Sequence, residues 1–130
     1  MVQMTKEHKQ IIYYGHYDFL LGIEYIENKL KELNLKFENI YCIPRGGFQI
    51  GLHLSHRLEL PMCNEFGITN KTLIVDDICD EGITLLKYPN NYKCVLCSKD
   101  KGHNRIKNLI SPIIYKDDAW IMFYWEKDTK

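Results

Sequence analysis

The sequence predicts an α/β domain built on a mainly parallel sheet flanked by helices. Three observations lead there. Short apolar runs alternate with stretches of helical periodicity, the runs are continuously apolar as strands buried on both faces are, and 130 residues suit one domain, expected over residues 1–130.

Taken in order, QIIYY at 10–14 reads as a short strand, and Asp18 stands where a helix N-cap belongs. Ile23, Ile26, Leu30 and Leu33 then recur at helical spacing, with Glu24, Glu27, Lys29 and Lys31 on other faces. Asn39 to Ile43 reads as a buried strand that PRGG at 44–47 breaks sharply, and Ile50 to Leu58 as a second helix. Thr72 to Val75 is the next strand, followed by an acidic turn and a short helix that Pro89 must stop. KCVLC, PIIY and IMFYW supply three further strand candidates. In an open sheet of this kind ligands bind beyond the carboxyl ends of the strands. PRGG and DDICDEG both occupy such ends.

Composition narrows the function. Lys plus Arg equals Asp plus Glu at 17 each, so the basic surplus of a duplex-binding domain is missing and no nucleic-acid partner is expected. No run of about 18 apolar residues occurs, and MVQMTKEHKQ lacks the apolar core of a signal peptide, so a cytoplasmic protein without a membrane partner is expected. Five cysteines in that setting read as reduced thiols. Cys94 and Cys97 form a C-x-x-C, but a spacing of three within one strand would point them to opposite faces. His53 and His56, three apart on a helix, lack a third ligand nearby and read as surface or packing residues.

The stretch TLIVDDICDEGITL at 72–85 holds Asp76, Asp77, Asp80 and Glu81 within six positions. Like charges about 4 Å apart repel by roughly 1 kcal/mol in water and about 4 kcal/mol at an effective dielectric near 20, so the cluster needs donors or a cation. Acids suit the first turn of a helix, which accounts for Asp80 and Glu81 but not for Asp76 and Asp77 at the strand end. The whole loop admits a sharper reading. Gly82 lets the backbone approach a ligand, successive N–H groups form an anion nest, and Thr84 adds a hydroxyl. The upstream carboxylates would accept hydrogen bonds from a sugar diol and help hold Mg2+, which prefers oxygen ligands and retained waters. A sugar phosphate satisfies both halves.

At these residues the chain resembles the type I phosphoribosyltransferases. VDDICDEGITL looks like their phosphoribosyl pyrophosphate (PRPP) motif, and IPRGGFQIGLHLSHRL looks like their pyrophosphate loop and following helix. KCVLCSK, DAWIMFYWE and IIYYGHYDFLLGIEYI are similar to corresponding segments of bacterial xanthine-guanine phosphoribosyltransferases, so the resemblance covers most of the chain. It implies transfer of the 5-phosphoribosyl group from Mg-PRPP to a 6-oxopurine (guanine, xanthine or hypoxanthine), with pyrophosphate released. A PRPP- or nucleotide-binding regulatory protein of the same fold is the alternative.

Carried over by position, the resemblance places Asp76 and Asp77 at the ribose hydroxyls and Mg2+, and makes Asp80 the group that manages the purine proton. Glu81, Gly82, Ile83 and Thr84 would surround the 5-phosphate, and Arg45, Gly46 and Gly47 the pyrophosphate, for which a cationic fork and bare backbone are apt. Lys99 would donate to the 6-oxygen, Trp120 would stack on the base in competition with Trp125, and the backbone of Ile121 would meet the 2-position. A homo-oligomer is expected from the same likeness. Two departures stand out. Glu81 replaces the usual threonine, and the family's long lid between the second and third core strands shrinks to Pro61 to Lys71. Receiver domains also end a strand in paired aspartates, but near their start, whereas 53 residues follow Asp77.

Overall fold

Thr72, Leu73, Ile74 and Val75 are all fully buried, and the last three side chains alternate between two apolar clusters on opposite faces of the sheet. Leu73 and Val75 face a cluster with Phe19, Ile23, Ile26, Ile50 and Leu54, while Ile74 faces one with Leu85, Val95 and Ile106. That two-sided burial is what a continuously apolar strand needs. The computed structural model describes residues 2–3, by backbone alone, and residues 10–126. Of the polar start, residues 1 and 4–9 lie outside the described residues.

The strands are β1 (Val2–Gln3), β2 (Gln10–Tyr14), β3 (Asn39–Cys42), β4 (Met62–Cys63), β5 (Thr72–Val75), β6 (Ile78–Cys79), β7 (Lys93–Cys94), β8 (Cys97–Lys99), β9 (Leu109–Ile110), β10 (Ile114–Tyr115) and β11 (Ala119–Phe123). The helices are α1 (His16–Leu33), α2 (Gly47–Leu58) and α3 (Asp100–Arg105). Five strands form a sheet in the order β4-β3-β5-β7-β9, parallel throughout. A second parallel group runs β10-β8-β6, and β11 pairs with β2 in parallel while β1 joins β2 antiparallel.

The two parallel groups are continuous in a physical sense. β6, β8 and β10 follow β5, β7 and β9 after a short break, and the register is the same on both sides: Val75 opposes Cys94, and Ile78 opposes Cys97. Hydrogen bonds carry the ladder across, from the Asp76 N–H to the Cys94 carbonyl (3.1 Å) and from the Leu96 N–H to the Asp77 carbonyl (2.9 Å). Three neighbouring strands therefore bend together without slipping, and the aspartate pair stands on the bend.

Several boundaries differ from the sequence reading. α1 starts at His16 with Gly15 as its cap, and Asp18 occupies the third helical position, where its Oδ2 accepts the Gly15 N–H at 2.8 Å. The acid thus still closes the helix start, from inside. α2 begins at Gly47, and the expected helix after the acidic turn is only a 3-10 turn, Leu85–Lys87. KCVLC splits into β7 and β8. Because of that break Cys94 and Cys97 do not face opposite sides: both enter the same buried cluster, where burial pushes their thiols up, and all five cysteines are free thiols. Among the described residues no helix is long and apolar enough to cross a membrane.

Candidate functional site

β3 and β5 are neighbours, so the turns that follow them meet at one edge of the sheet. The Ile43 N–H donates to the Val75 carbonyl at 2.8 Å, docking the start of PRGG on the end of β5. The glycines make closer docking possible. A Cβ on Gly47 would overlap the Val75 carbonyl, and one on Gly46 would overlap the Asp77 carboxylate. The Pro44–Arg45 peptide is cis. Arg45 itself is exposed and forms no ion pair among the described residues.

The acidic turn has a definite internal order. Asp76 Oδ1 accepts the Asp77 N–H and Asp77 Oδ1 accepts the Ile78 N–H, both at 2.8 Å. Each carboxylate therefore spends one oxygen on the backbone. Burial, then the adjacent Asp77 charge, push the Asp76 carboxyl far above the usual carboxylate range, to about 8. Asp76 through Leu85 line a concavity of about 320 Å3. Within it Gly82 has φ +85°, a conformation that favours glycine, and the N–H groups of Gly82, Ile83 and Thr84 donate to no described backbone carbonyl. Ile83 and Thr84 are exposed. Gly82 itself is buried, and the loop precedes a single 3-10 turn with little helix dipole behind it.

A second group of residues converges beside Asp80. Lys99, at the end of β8, has a side chain only 4% exposed, and its Nζ lies 3.3 Å from Asp80 Oδ1 and 5.9 Å from the centre of the Trp120 ring. Lys99 is therefore not a solvated surface lysine. Trp120 is 41% exposed on β11, whereas the Ile121 side chain points into the core, leaving only its backbone to meet a ligand. Trp125 stacks on Phe123 with ring centres 4.7 Å apart and packs on the core, which leaves Trp120 as the tryptophan beside Lys99.

Helix α3 had no counterpart in the sequence reading, and it matters for this loop. Its Lys101 Nζ is 3.7 Å from Glu81 Oε1, and Arg105 donates to the Glu81 carbonyl at 3.0 Å. Gly102 lies so close that a Cβ there would overlap the Asp80 carbonyl. Glu81 thus turns its carboxylate toward α3. The signal that was available is Asp100, an acid suited to a first turn directly after a strand; Gly102 in the middle of the segment masked it. His53 packs edge-on against Phe19 at 5.0 Å, and no group of three metal-ligating side chains forms among the described residues. A groove of about 370 Å3 at the end of α1, lined by Leu30, Phe37, Leu58 and Leu60 among others, contains no carboxylate and none of these residues.

No protein-family model matches the chain. Over 73 residues it is 32% identical to xanthine-guanine phosphoribosyltransferase of Roseobacter denitrificans, a stretch that covers 53% of this chain but only 40% of that protein. Among solved structures, purine phosphoribosyltransferase from Pyrococcus horikoshii superposes with a TM-score of 0.76 at 22% identity, over 92% of this chain and 96% of that one. Helicobacter pylori xanthine-guanine-hypoxanthine phosphoribosyltransferase gives 0.65 at 22% identity, over 91% and 93%. A hypothetical protein from Neisseria gonorrhoeae with bound ppGpp gives 0.70 at 20% identity, over 90% and 89%. At these identities the likeness to the solved structures establishes the fold.

Proposed function

Starting from a chain that has the type I phosphoribosyltransferase fold, we infer that it transfers the 5-phosphoribosyl group of PRPP to a purine base and releases pyrophosphate. The bases it suits are 6-oxopurines: guanine, xanthine or hypoxanthine. One observation carries the reading. The PRGG turn is seated against the Asp76–Asp77 pair, and the Asp80–Lys99 pair stands beside Trp120 next to the same loop.

The donor set fits Mg2+. Asp76 and Asp77 are adjacent carboxylates, each with one oxygen not taken by a backbone N–H, and Mg2+ is held by one or two carboxylates together with substrate phosphates and waters. When bound, the ion would neutralise charge on the departing pyrophosphate. The remaining work belongs to the chain. Asp76 and Asp77 accept hydrogen bonds from the ribose hydroxyls, and once a bound cation offsets the burial that keeps Asp76 protonated, their negative charge favours the oxocarbenium character that develops at ribose C1. Arg45 and the bare backbone of Gly46 and Gly47 take up the pyrophosphate. The amides of Gly82 to Thr84 hold the 5-phosphate, and Glu81, turned to Lys101, stays clear of it.

At the base, Trp120 stacks on the purine, Lys99 donates to the 6-oxygen, and the Ile121 backbone meets the 2-position. Asp80 accepts the proton that leaves the attacking ring system, at an atom fixed by its pairing with Lys99. A purine ring nitrogen bonds to C1 as the C1–O bond to pyrophosphate breaks, so no covalent enzyme intermediate is required. The protein would work in the cytosol as a homo-oligomer. The test is a screen with PRPP and Mg2+ against guanine, xanthine, hypoxanthine and adenine. The expected result is nucleotide and pyrophosphate in equal amounts with at least one 6-oxopurine and none with adenine.

One observation favours a second reading, a PRPP- or nucleotide-binding regulator. The segment that would form a lid is tied to the other end of the sheet: Asn39 at the start of β3 donates to the Gly67 carbonyl at 3.2 Å, and the Thr69 N–H donates to Thr72 at the start of β5. The gonococcal neighbour with bound ppGpp has the same fold. Tight PRPP or nucleotide binding without turnover of any base in the screen would establish that reading instead.

A further inference from the structure

Next to the acidic loop lies a second cleft of about 220 Å3, which shares Leu85 with the concavity. Its polar lining is entirely cationic: Lys93, Arg105 and Lys107. None of the three pairs with a carboxylate among the described residues. Lys93 is the informative one. It is 1% exposed, and its ammonium donates to the carbonyls of Asn91 (2.7 Å) and Lys107 (3.0 Å). An ammonium carries three donors, so among the described residues a buried positive charge is left with one donor unspent and no counter-charge, a costly arrangement for a side chain of this kind. Burial alone pulls it below its ordinary value, with no carboxylate near enough to oppose the effect.

The rest of the lining is apolar, from Leu85, Leu86, Pro89 and Ile106, and the volume lies below the roughly 300–1,000 Å3 of drug-sized sites. We propose that this cleft binds a small carboxylate carried on an apolar body, the carboxylate accepting from Lys93, Arg105 and Lys107 while the body rests on Leu86, Pro89 and Ile106. A carboxylate is the planar anion that a guanidinium grips with two parallel hydrogen bonds. Inorganic phosphate would leave the apolar wall unused.

The cleft is joined to the acidic loop at two points. Arg105 tethers the Glu81 carbonyl at 3.0 Å, and Ile106 packs where a Cβ on Gly82 would come within 3.1 Å of it. An occupant that draws Arg105 away loosens the loop at Glu81 and Gly82 and weakens binding of the 5-phosphate. This coupling rests on the phosphate role proposed for the loop; the site itself does not.

The site is tested without PRPP, by titrating the isotope-labelled full chain with benzoate, benzamide and inorganic phosphate and following amide shifts. Saturable benzoate shifts confined to residues 85–88, 93 and 105–107, with affinity lowered about tenfold in Lys107→Gln, are expected. That variant keeps the backbone carbonyl that Lys93 uses, so it tests the site even where Lys93→Met fails to fold. Equal binding of benzamide, equal binding of phosphate, or no saturable shift overturns the proposal. A second titration reads PRPP affinity with and without saturating benzoate, and a several-fold weakening is expected. Unchanged PRPP affinity at saturating benzoate removes the coupling and leaves the site. Absence of any PRPP binding removes the phosphate role of the loop along with the coupling, while the benzoate shifts still decide the site.

Discussion

The chemistry of this chain turns on how few side chains are held in expensive places. Asp76 is the clearest. Its carboxyl is pushed up to about 8 in the fold, against about 3.9 in an unfolded chain. The unfolded state therefore releases the proton first as pH rises, and stability contributed by this group is full below pH 4, falls up to about pH 8, and is level beyond. Asp76→Asn should then leave the melting temperature nearly unchanged at pH 4 and raise stability at pH 8 by on the order of 1–3 kcal/mol; equal melting curves at pH 8 would contradict the burial argument. The same substitution combined with Asp77→Asn should weaken Mg-PRPP binding in calorimetry, because both remaining carboxylate oxygens are lost. Asp80→Asn tests a different role. It keeps an acceptor for the buried Lys99 amine but no longer takes a proton, so kcat should fall about 10²- to 10⁴-fold with little change in PRPP affinity. These acids were legible from sequence because local spacing alone places them on one loop. The burial of Lys99 was not, since a lysine at a strand end is ordinarily solvated and only the packing of β8 against neighbouring strands encloses it.

At the scale of elements, close approach decides what can be changed. α2 lies over β3 with Gly51 against Cys42, whose sulfur a Cβ would overlap. Alanine improves helix propensity by about 1 kcal/mol, but overpacking costs typically 1–3 kcal/mol, so Gly51→Ala should destabilise the fold in denaturant unfolding. Gly46→Ala is the functional counterpart: its Cβ overlaps the Asp77 carboxylate, and PRPP affinity should drop at least tenfold while stability changes less. Helix α3 shows why element boundaries escaped the sequence. Six residues with a central glycine lack helical periodicity, and the helix exists because Gly102 can lie on the Asp80 carbonyl and Arg105 can reach the Glu81 carbonyl. The split of KCVLC has a similar origin. Nothing in a lysine followed by four apolar-leaning residues marks the bend, which three strands share and which the hydrogen bonds at Asp76 and Leu96 define.

For the molecule as a whole, the short connector at 64–71 does not reach over the carboxyl edge of the sheet, since its hydrogen bonds run to the amino ends of β3 and β5. Lids exclude water from reacting centres. An enzyme without one should hydrolyse PRPP measurably when no base is present, and phosphate analysis after incubation with PRPP and Mg2+ alone would detect ribose 5-phosphate; complete protection of PRPP would show that something else closes the site. The sequence by itself determined the α/β alternation, the position of the two loops at strand ends and the resemblance to a family, because those depend on residue types at short spacing. Only the tertiary structure decided that Gly46 meets Asp77, that Lys99 is sealed in beside Trp120, and that Glu81 turns to Lys101. Each of these joins residues far apart in the chain, and such contacts are set by the packing of the sheet rather than by any local preference.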